Sequence, residues 1–149
     1  MSTISETKPI VLERLFNALI ASVWQAITDK TEMKHWYFDL QEFKAEPGFT
    51  FQFTGGPSPE KPYVHLCEVT EVIPEKKLTY GWRYKGYPGN SFVTFELFEK
   101  EDKTLLRLIH TGLETFPQDN PDLARHNFEE GWDEIINKSL RKYLENSKM

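Results

Sequence analysis

The chain has 149 residues, of which 39% are hydrophobic and 14% aromatic, and its net charge is −5. This length and apolar content suit one globular domain and exclude a disordered chain, while charged residues interrupt the apolar runs too often for a membrane span. The acidic balance argues against a nucleic-acid or anionic-membrane binder, and a single cysteine, Cys67, excludes an internal disulfide. The N-terminal residues lack the apolar core of a secretory signal, so we expect a cytoplasmic protein without membrane insertion.

The first predicted elements are one strand and two short helices. Residues 8–16 mix β-branched and apolar side chains, which is typical of a strand. The segment IASVWQAIT then has helical spacing, with its apolar residues on one side. In the following segment, DKTEMKHWY, Asp29 and Glu32 have the spacing of an N-terminal capping box. We therefore expect a second helix that begins after a break near Asp29.

From about Leu40 the sequence predicts antiparallel strands. Phenylalanines alternate with polar residues before a Gly-Gly-Pro stop, and short turns join two later pairs of strands. The predicted strand segments are FTFQFTGG, YVHLCEVTEVI, KLTYGWRY, SFVTFELFEK and TLLRLIHTG. The predicted order is thus one strand, two short helices, a run of about six antiparallel strands and a final long helix. Strands segregated from helices in this way indicate an α+β fold.

The final helix, HNFEEGWDEIINKSLRKYL, has a glycine directly before its tryptophan. Gly131 costs roughly 1 kcal/mol relative to alanine in a helix interior. We therefore expect a strand or the preceding loop to press against the helix backbone at Gly131. The apolar stripe of this helix consists of Phe128, Trp132, Ile135, Ile136, Leu140, Tyr143 and Leu144.

Four segments occur in the order of a known family and span nearly the whole chain: ALIASVWQAITDKTEMKHWY, EVTEVIPEKKLTYGW, SFVTFELFEKEDKTLLRLIHTGL and GWDEIINKSLRKYL. On these segments the chain resembles the START-like (SRPBCC) superfamily, specifically the branch related to the C-terminal domain of the activator of Hsp90 ATPase. The resemblance implies one domain over residues 1–149 with a helix-grip fold, also called START-like or Bet v 1-like. In that fold a curved antiparallel sheet wraps around the long C-terminal helix and leaves a deep cavity between them.

No catalytic constellation can be assembled from the polar residues. The four histidines form no HxH or HExxH pair, so we expect no metal and no cofactor. His110 shares a strand face with Leu106 and Leu108 and should point inward. It is either a core histidine bonded to a backbone carbonyl or a polar contact for a ligand. No GxSxG or GxGxxG motif is present, so an enzyme is the third of three hypotheses, as a cyclase or hydrolase that uses cavity residues.

The aromatic residues point to a binding cavity. A large aromatic core explains several of them, but a sheet and helix that do not close tightly leave a concave apolar pocket. Such a pocket with a few polar groups is the usual small-molecule site. The candidate cavity residues are Trp36, Phe38, Phe51, Phe53, Tyr80, Trp82, Tyr84, His110, Trp132 and Ile136.

Two functions of different classes follow. The first is binding of a small hydrophobic or amphipathic ligand, aromatic or lipid-like, in the cavity. The second, implied by the resemblance, is a protein-interaction module that contacts a chaperone or another protein, as the Hsp90 ATPase activators do. The full co-chaperone has an additional N-terminal domain, for which we expect no room in this chain, and this favours the first function. The sequence selects neither a particular ligand nor an oligomeric state.

Overall fold

Six antiparallel strands form the sheet of the computed structural model, which describes residues 8–37, 40, 42–58, 61–117 and 119–146. The elements in chain order are β1 (Ile10–Phe16), α1 (Ile20–Thr28), α2 (Lys30–Trp36), β2 (Thr50–Ser58), β3 (Lys61–Ile73), β4 (Lys77–Tyr84), β5 (Ser91–Lys100), β6 (Lys103–Thr111), two 3₁₀ turns (Leu113–Thr115 and Pro121–Leu123), α3 (Arg125–Trp132), a π-helical segment (Asp133–Leu140) and α4 (Arg141–Asn146). This arrangement confirms the predicted α+β helix-grip fold. Within the described residues five strands, rather than about six, follow α2.

The sheet has the strand order β1-β6-β5-β4-β3-β2. Each neighbouring pair is antiparallel. The register shifts once between Gly55 and Ser58 in β2 and once between Val69 and Glu71 in β3. Such irregularities bend a strand and increase its local twist. At the first one the strand continues to Ser58, although the Gly-Gly-Pro sequence predicted its end.

One half of the predicted capping box is present at the start of α2. The Asp29 carboxylate accepts a 2.8 Å hydrogen bond from the Thr31 N–H. The Asp29 N–H, however, donates to the Gln25 carbonyl and completes the last turn of α1. Because α2 begins directly where α1 ends, that donor is already used, and Glu32 instead accepts a 3.1 Å hydrogen bond from the Tyr143 hydroxyl. The capping-box prediction is therefore wrong in its second half.

The C-terminal helix is continuous from Arg125 to Asn146, but its central part is π-helical. We use the name C-terminal helix for α3, the π-helical segment and α4 together. Its buried residues face the inner side of the sheet, and Ile136 and Leu140 are fully inaccessible to solvent. Among the described residues, no helix is long and apolar enough to cross a membrane.

Candidate functional site

A cavity of about 390 Å³ lies between the sheet and the first turns of the C-terminal helix. Strands β2, β3 and β4 form one wall, while the second 3₁₀ turn and the helix form the other. The lining residues are Gly55, Tyr63, His65, Trp82, Tyr84, Asp122, Leu123, Asn127, Phe128, Gly131, Trp132 and Ile135. Small-molecule sites typically have a volume of roughly 300–1,000 Å³ and an apolar lining with a few polar groups. The cavity has this character.

Gly131 faces the cavity instead of a neighbouring segment of the chain. A Cβ atom built on Gly131 meets no atom of the described residues within 4 Å. The expectation that a strand or loop presses against the helix at this glycine is therefore wrong. The space beside the backbone belongs to the cavity, so the missing side chain enlarges the cavity.

A buried chain of hydrogen bonds holds Trp132 against the sheet. The indole N–H of Trp132 donates to Nδ1 of His110 at 2.9 Å, so the proton of the neutral imidazole lies on Nε2. That Nε2 donates to the Ser91 hydroxyl at 2.8 Å, and the hydroxyl donates to the Trp82 carbonyl at 2.7 Å. Burial lowers the pKa of His110 to about 3, so the ring is uncharged at neutral pH. The C-terminal helix is thus joined to β6, β5 and β4.

His65 contributes a second uncharged imidazole, on the sheet wall of the cavity. Its Nδ1 donates to the Tyr63 carbonyl at 3.1 Å. The ring stacks on Phe53 with a centroid distance of 4.4 Å and meets the edge of Tyr84 at 4.8 Å. Burial lowers the pKa of His65 to about 4, so this imidazole carries no positive charge at neutral pH.

Polar groups of the lining are concentrated where β3 meets the second 3₁₀ turn. The Tyr63 hydroxyl donates to the Asp122 carboxylate at 2.7 Å and accepts from the Asn120 amide at 3.4 Å. Asn120 also caps the turn, because its side-chain oxygen accepts from the Asp122 N–H at 3.0 Å. The Asn127 amide donates to the Pro121 carbonyl at 2.7 Å. These bonds fix Asp122 relative to the sheet.

The structure brings three of the predicted cavity residues to the lining: Trp82, Tyr84 and Trp132. Six others are buried but are not among the residues that line this cavity: Trp36, Phe51, Phe53, Tyr80, His110 and Ile136. Phe38 lies outside the described residues. His110 lies behind Trp132, and its imidazole bonds to a hydroxyl instead of the backbone carbonyl expected of a core histidine.

Several lining residues were not predicted from the sequence. Tyr63 and His65 lie on the same buried face of β3 as Cys67 and Val69, so the two-residue alternation of that strand could have identified them. Asp122 and Asn127 come from the turn and helix start after the strands, where no periodic pattern marks them. Their place at the cavity follows only from how the C-terminal helix lies against the sheet.

Within the described ranges, no three His, Cys, Asp or Glu side chains form a group that could hold a metal ion. The one cysteine, Cys67, is buried with a free thiol, and burial raises its pKa well above the usual range. A buried thiol with a raised pKa is a poor nucleophile. The rings and hydrogen-bonding groups of the cavity lining are suited to binding through apolar contact and hydrogen bonds.

Solved structures of proteins with low sequence identity to this chain have the same fold. Protein MLL2253 from Mesorhizobium loti is 26% identical with a TM-score of 0.76, over 95% of this chain and 100% of that one. Protein BH1534 from Bacillus halodurans is 28% identical with a TM-score of 0.70, over 91% and 96% of the two chains. DynU16, a protein in the dynemicin biosynthetic locus, is 20% identical with a TM-score of 0.75 over 94% of this chain, which spans only 48% of DynU16. The likeness to DynU16 shows the fold alone.

Among curated proteins, none matches this sequence. A family profile does match: the family described as "Activator of Hsp90 ATPase homolog 1-like protein" aligns with residues 17–145. That range begins directly after β1, ends in the last turn of the C-terminal helix and includes every residue of the cavity lining. The chain therefore belongs to the Activator of Hsp90 ATPase homolog 1-like protein family, a branch of the START-like superfamily.

Proposed function

We propose that this protein binds a small, largely apolar ligand in the cavity between the sheet and the C-terminal helix. The observation that carries the proposal is the open space beside Gly131, in a cavity of about 390 Å³. A concave, largely apolar space of this size with a few polar groups is the usual form of a small-molecule site. The aromatic lining on both walls of the cavity therefore supports a bound ligand.

Two further features of the helix support this proposal. Gly131 weakens the helix by roughly 1 kcal/mol relative to alanine, and an alanine Cβ would meet no atom of the described residues within 4 Å. The space at Gly131 therefore stays open although a more stable residue would fit there. The π-helical segment begins two residues later, at Asp133, and such segments are frequent at functional sites.

The lining indicates the kind of ligand. Tyr63, Trp82, Tyr84, Phe128 and Trp132 present large rings from both walls, and such rings pack well against aromatic or lipid-like surfaces. The Trp82 N–H donates to the Tyr84 hydroxyl at 2.9 Å, so that donor is already satisfied without a ligand. Apolar contact should therefore supply most of the affinity. The cytoplasmic location predicted from the sequence remains part of this proposal.

The test is a titration with the neutral apolar dye N-phenyl-1-naphthylamine. Binding should be saturable, close to one molecule per chain, and retained at high salt, because apolar contact is not screened by ions. The Gly131→Leu variant fills the cavity and should abolish binding while the protein stays folded. In the matched control, His126→Leu, the same side chain is added at an exposed position of the same helix. Unchanged dye binding by Gly131→Leu would show that the dye binds elsewhere and would refute the proposal.

A second candidate function is contact with an Hsp90-type chaperone, and family membership is the observation that favours it. Exposed apolar residues on the outer sheet face offer a contact surface: Val11 is 56% exposed, Leu15 47% and Phe98 36%. Added protein should then raise the ATPase rate of such a chaperone, and Leu15→Glu should reduce the effect while Gly131→Leu should not. An unchanged ATPase rate would exclude this function.

A further inference from the structure

The hydroxyl of Tyr84 has a hydrogen-bonding capacity that the protein itself uses only in part. A tyrosine hydroxyl accepts hydrogen bonds through its oxygen and donates one through its proton. The oxygen of Tyr84 accepts from the Trp82 indole N–H at 2.9 Å. Among the residues that the structure describes, no group accepts the proton of this hydroxyl. Within that part of the chain, its acceptor function is satisfied and its donor function is not.

Tyr84 is nearly enclosed by the protein and yet belongs to the cavity wall. Only 4% of Tyr84 is exposed. Trp82 and Tyr84 are two residues apart on the buried face of β4, and both line the cavity. The hydrogen bond between them therefore joins two side chains of the same wall. Buried donors in native proteins are nearly always paired, and the cavity is the space from which an acceptor can reach this one.

The other phenol and indole groups of the lining have no proton left for a ligand. Tyr63, Trp82 and Trp132 each donate their single polar proton to another side chain of the protein. Their hydrogen bonds measure 2.7, 2.9 and 2.9 Å. Tyr84 thus differs from the three in the one property that matters to a ligand, which is an available donor.

The state of this donor indicates which acceptor suits it. Burial raises the pKa of Tyr84 well above the usual range, so the hydroxyl keeps its proton at physiological pH. A neutral hydroxyl pairs with a neutral oxygen without placing a charge in the cavity. One such hydroxyl does not offset the cost of burying a carboxylate. A carbonyl or ether oxygen is therefore the matching group.

We propose that the ligand of this cavity carries an uncharged oxygen acceptor, such as a carbonyl, that accepts a hydrogen bond from the Tyr84 hydroxyl while its apolar body packs between the aromatic walls. This inference rests on the proposed ligand-binding function and names the chemical class of the ligand. A pure hydrocarbon would displace water from the cavity and leave the donor without a partner, so Tyr84 selects against it.

The test compares benzophenone with 1,1-diphenylethylene, in which a CH₂ group replaces the carbonyl oxygen. Each is titrated against the dye-loaded protein, and the displacement of N-phenyl-1-naphthylamine gives its affinity. Tyr84→Phe keeps the ring but removes the hydroxyl. It should weaken benzophenone relative to 1,1-diphenylethylene by roughly threefold to tenfold, which is the effect of one hydrogen bond between neutral groups. In the control, Tyr87→Phe, the same hydroxyl is removed from an exposed residue outside the lining, so the ratio of the two affinities should not change.

A second measurement needs no variant, because Tyr84→Phe also deprives the buried Trp82 N–H of its acceptor and can lower stability. Isotope-edited infrared spectra of benzophenone bound to the natural protein report the carbonyl stretch. A hydrogen bond from Tyr84 should lower its frequency below that of benzophenone in hexane.

Three results would overturn this inference while dye binding still upholds the proposed function. They are a carbonyl stretch at the hexane frequency, no displacement of the dye by benzophenone, and an affinity ratio that Tyr84→Phe changes no more than Tyr87→Phe does. Failure of the dye itself to bind would instead refute the proposed function.

Discussion

The indole N–H of Trp132 donates a 2.9 Å hydrogen bond to Nδ1 of His110, and both side chains are almost completely buried. Trp132 lines the cavity, whereas His110 lies behind it in β6. The imidazole therefore fixes the position of a cavity wall without being part of that wall. This relationship gives His110 a positioning role that neither interpretation from the sequence contained.

We expect His110→Phe to destabilise the protein by about 1–3 kcal/mol, the cost of leaving a buried polar group without its partner. Phenylalanine keeps a ring of similar shape but removes both nitrogens, so the buried Trp132 N–H loses its acceptor. Urea unfolding measures the change. His126→Phe, at an exposed position, is the control and should stay within about 0.5 kcal/mol of the natural protein. Equal stabilities of the two variants would contradict the role of His110.

The stability of the protein should fall as the pH drops below 6.5. The native pKa values of His65 and His110 are lowered to about 4 and about 3, whereas the unfolded chain titrates near 6.5. Between these values the unfolded state binds more protons, so acid favours unfolding by up to roughly 1.4 kcal/mol per pH unit for each histidine. Urea unfolding at pH 7, 6 and 5 measures this slope. His110→Phe should have a shallower slope than the natural protein, because it lacks one of the two buried imidazoles. If the slope of His110→Phe equals that of the natural protein, the lowered pKa of His110 is disproved.

Trp132→Ala should destabilise the protein by about 3–5 kcal/mol, the usual loss for a buried large aromatic side chain. Only 2% of Trp132 is exposed, and its ring packs edge to face with Phe95 at 6.2 Å. Urea unfolding again supplies the measurement. A loss below about 1 kcal/mol would place this ring outside the core and contradict the observed helix register.

Tyr80 and Tyr84 should respond differently to replacement by alanine. Tyr80 is 1% exposed, its hydroxyl lies 2.6 Å from that of Tyr37, and it is not a lining residue. Tyr80→Ala should therefore lower stability by roughly 3–5 kcal/mol and change dye affinity less than Tyr84→Ala does. Tyr84 lines the cavity, so its loss should weaken dye binding directly. Urea unfolding and dye titration measure stability and affinity for both variants. A larger change of dye affinity in Tyr80→Ala than in Tyr84→Ala would contradict the assignment of Tyr80 to the core and of Tyr84 to the cavity lining.

Local patterns were sufficient to predict most of the fold. The predicted bounds of β4 and β5 agree with the structure because short turns and two-residue alternation are properties of neighbouring residues. The capping box was only half right, since the Asp29 N–H is used by the preceding helix. That competition depends on where α1 ends, which the spacing of Asp29 and Glu32 does not encode.

The candidate site was harder to predict because it lies between elements that are distant in sequence. An aromatic residue in a strand has the same local pattern whether it faces the cavity, as Trp82 does, or packs in the core, as Tyr80 does. The sequence identified Gly131 as unusual, but a glycine beside a protein segment and a glycine beside a cavity look alike. Only the position of the C-terminal helix on the sheet distinguishes the two cases.

The π-helical segment Asp133–Leu140 has a consequence for how this chain tolerates insertions and deletions. On its N-terminal side the helix borders the cavity; on its C-terminal side Tyr143 stacks on His35 and Leu144 is buried. An α-helix turns by about 100° per residue, so a deletion in a regular helix would rotate one end against the other. A π-helical turn has i→i+5 hydrogen bonds and holds about one residue more than an α-helical turn, so tightening one π-turn to an α-turn absorbs a single deletion. The π-helical segment therefore lets the chain lose one residue here while the cavity-facing side and the Tyr143 end both keep their positions.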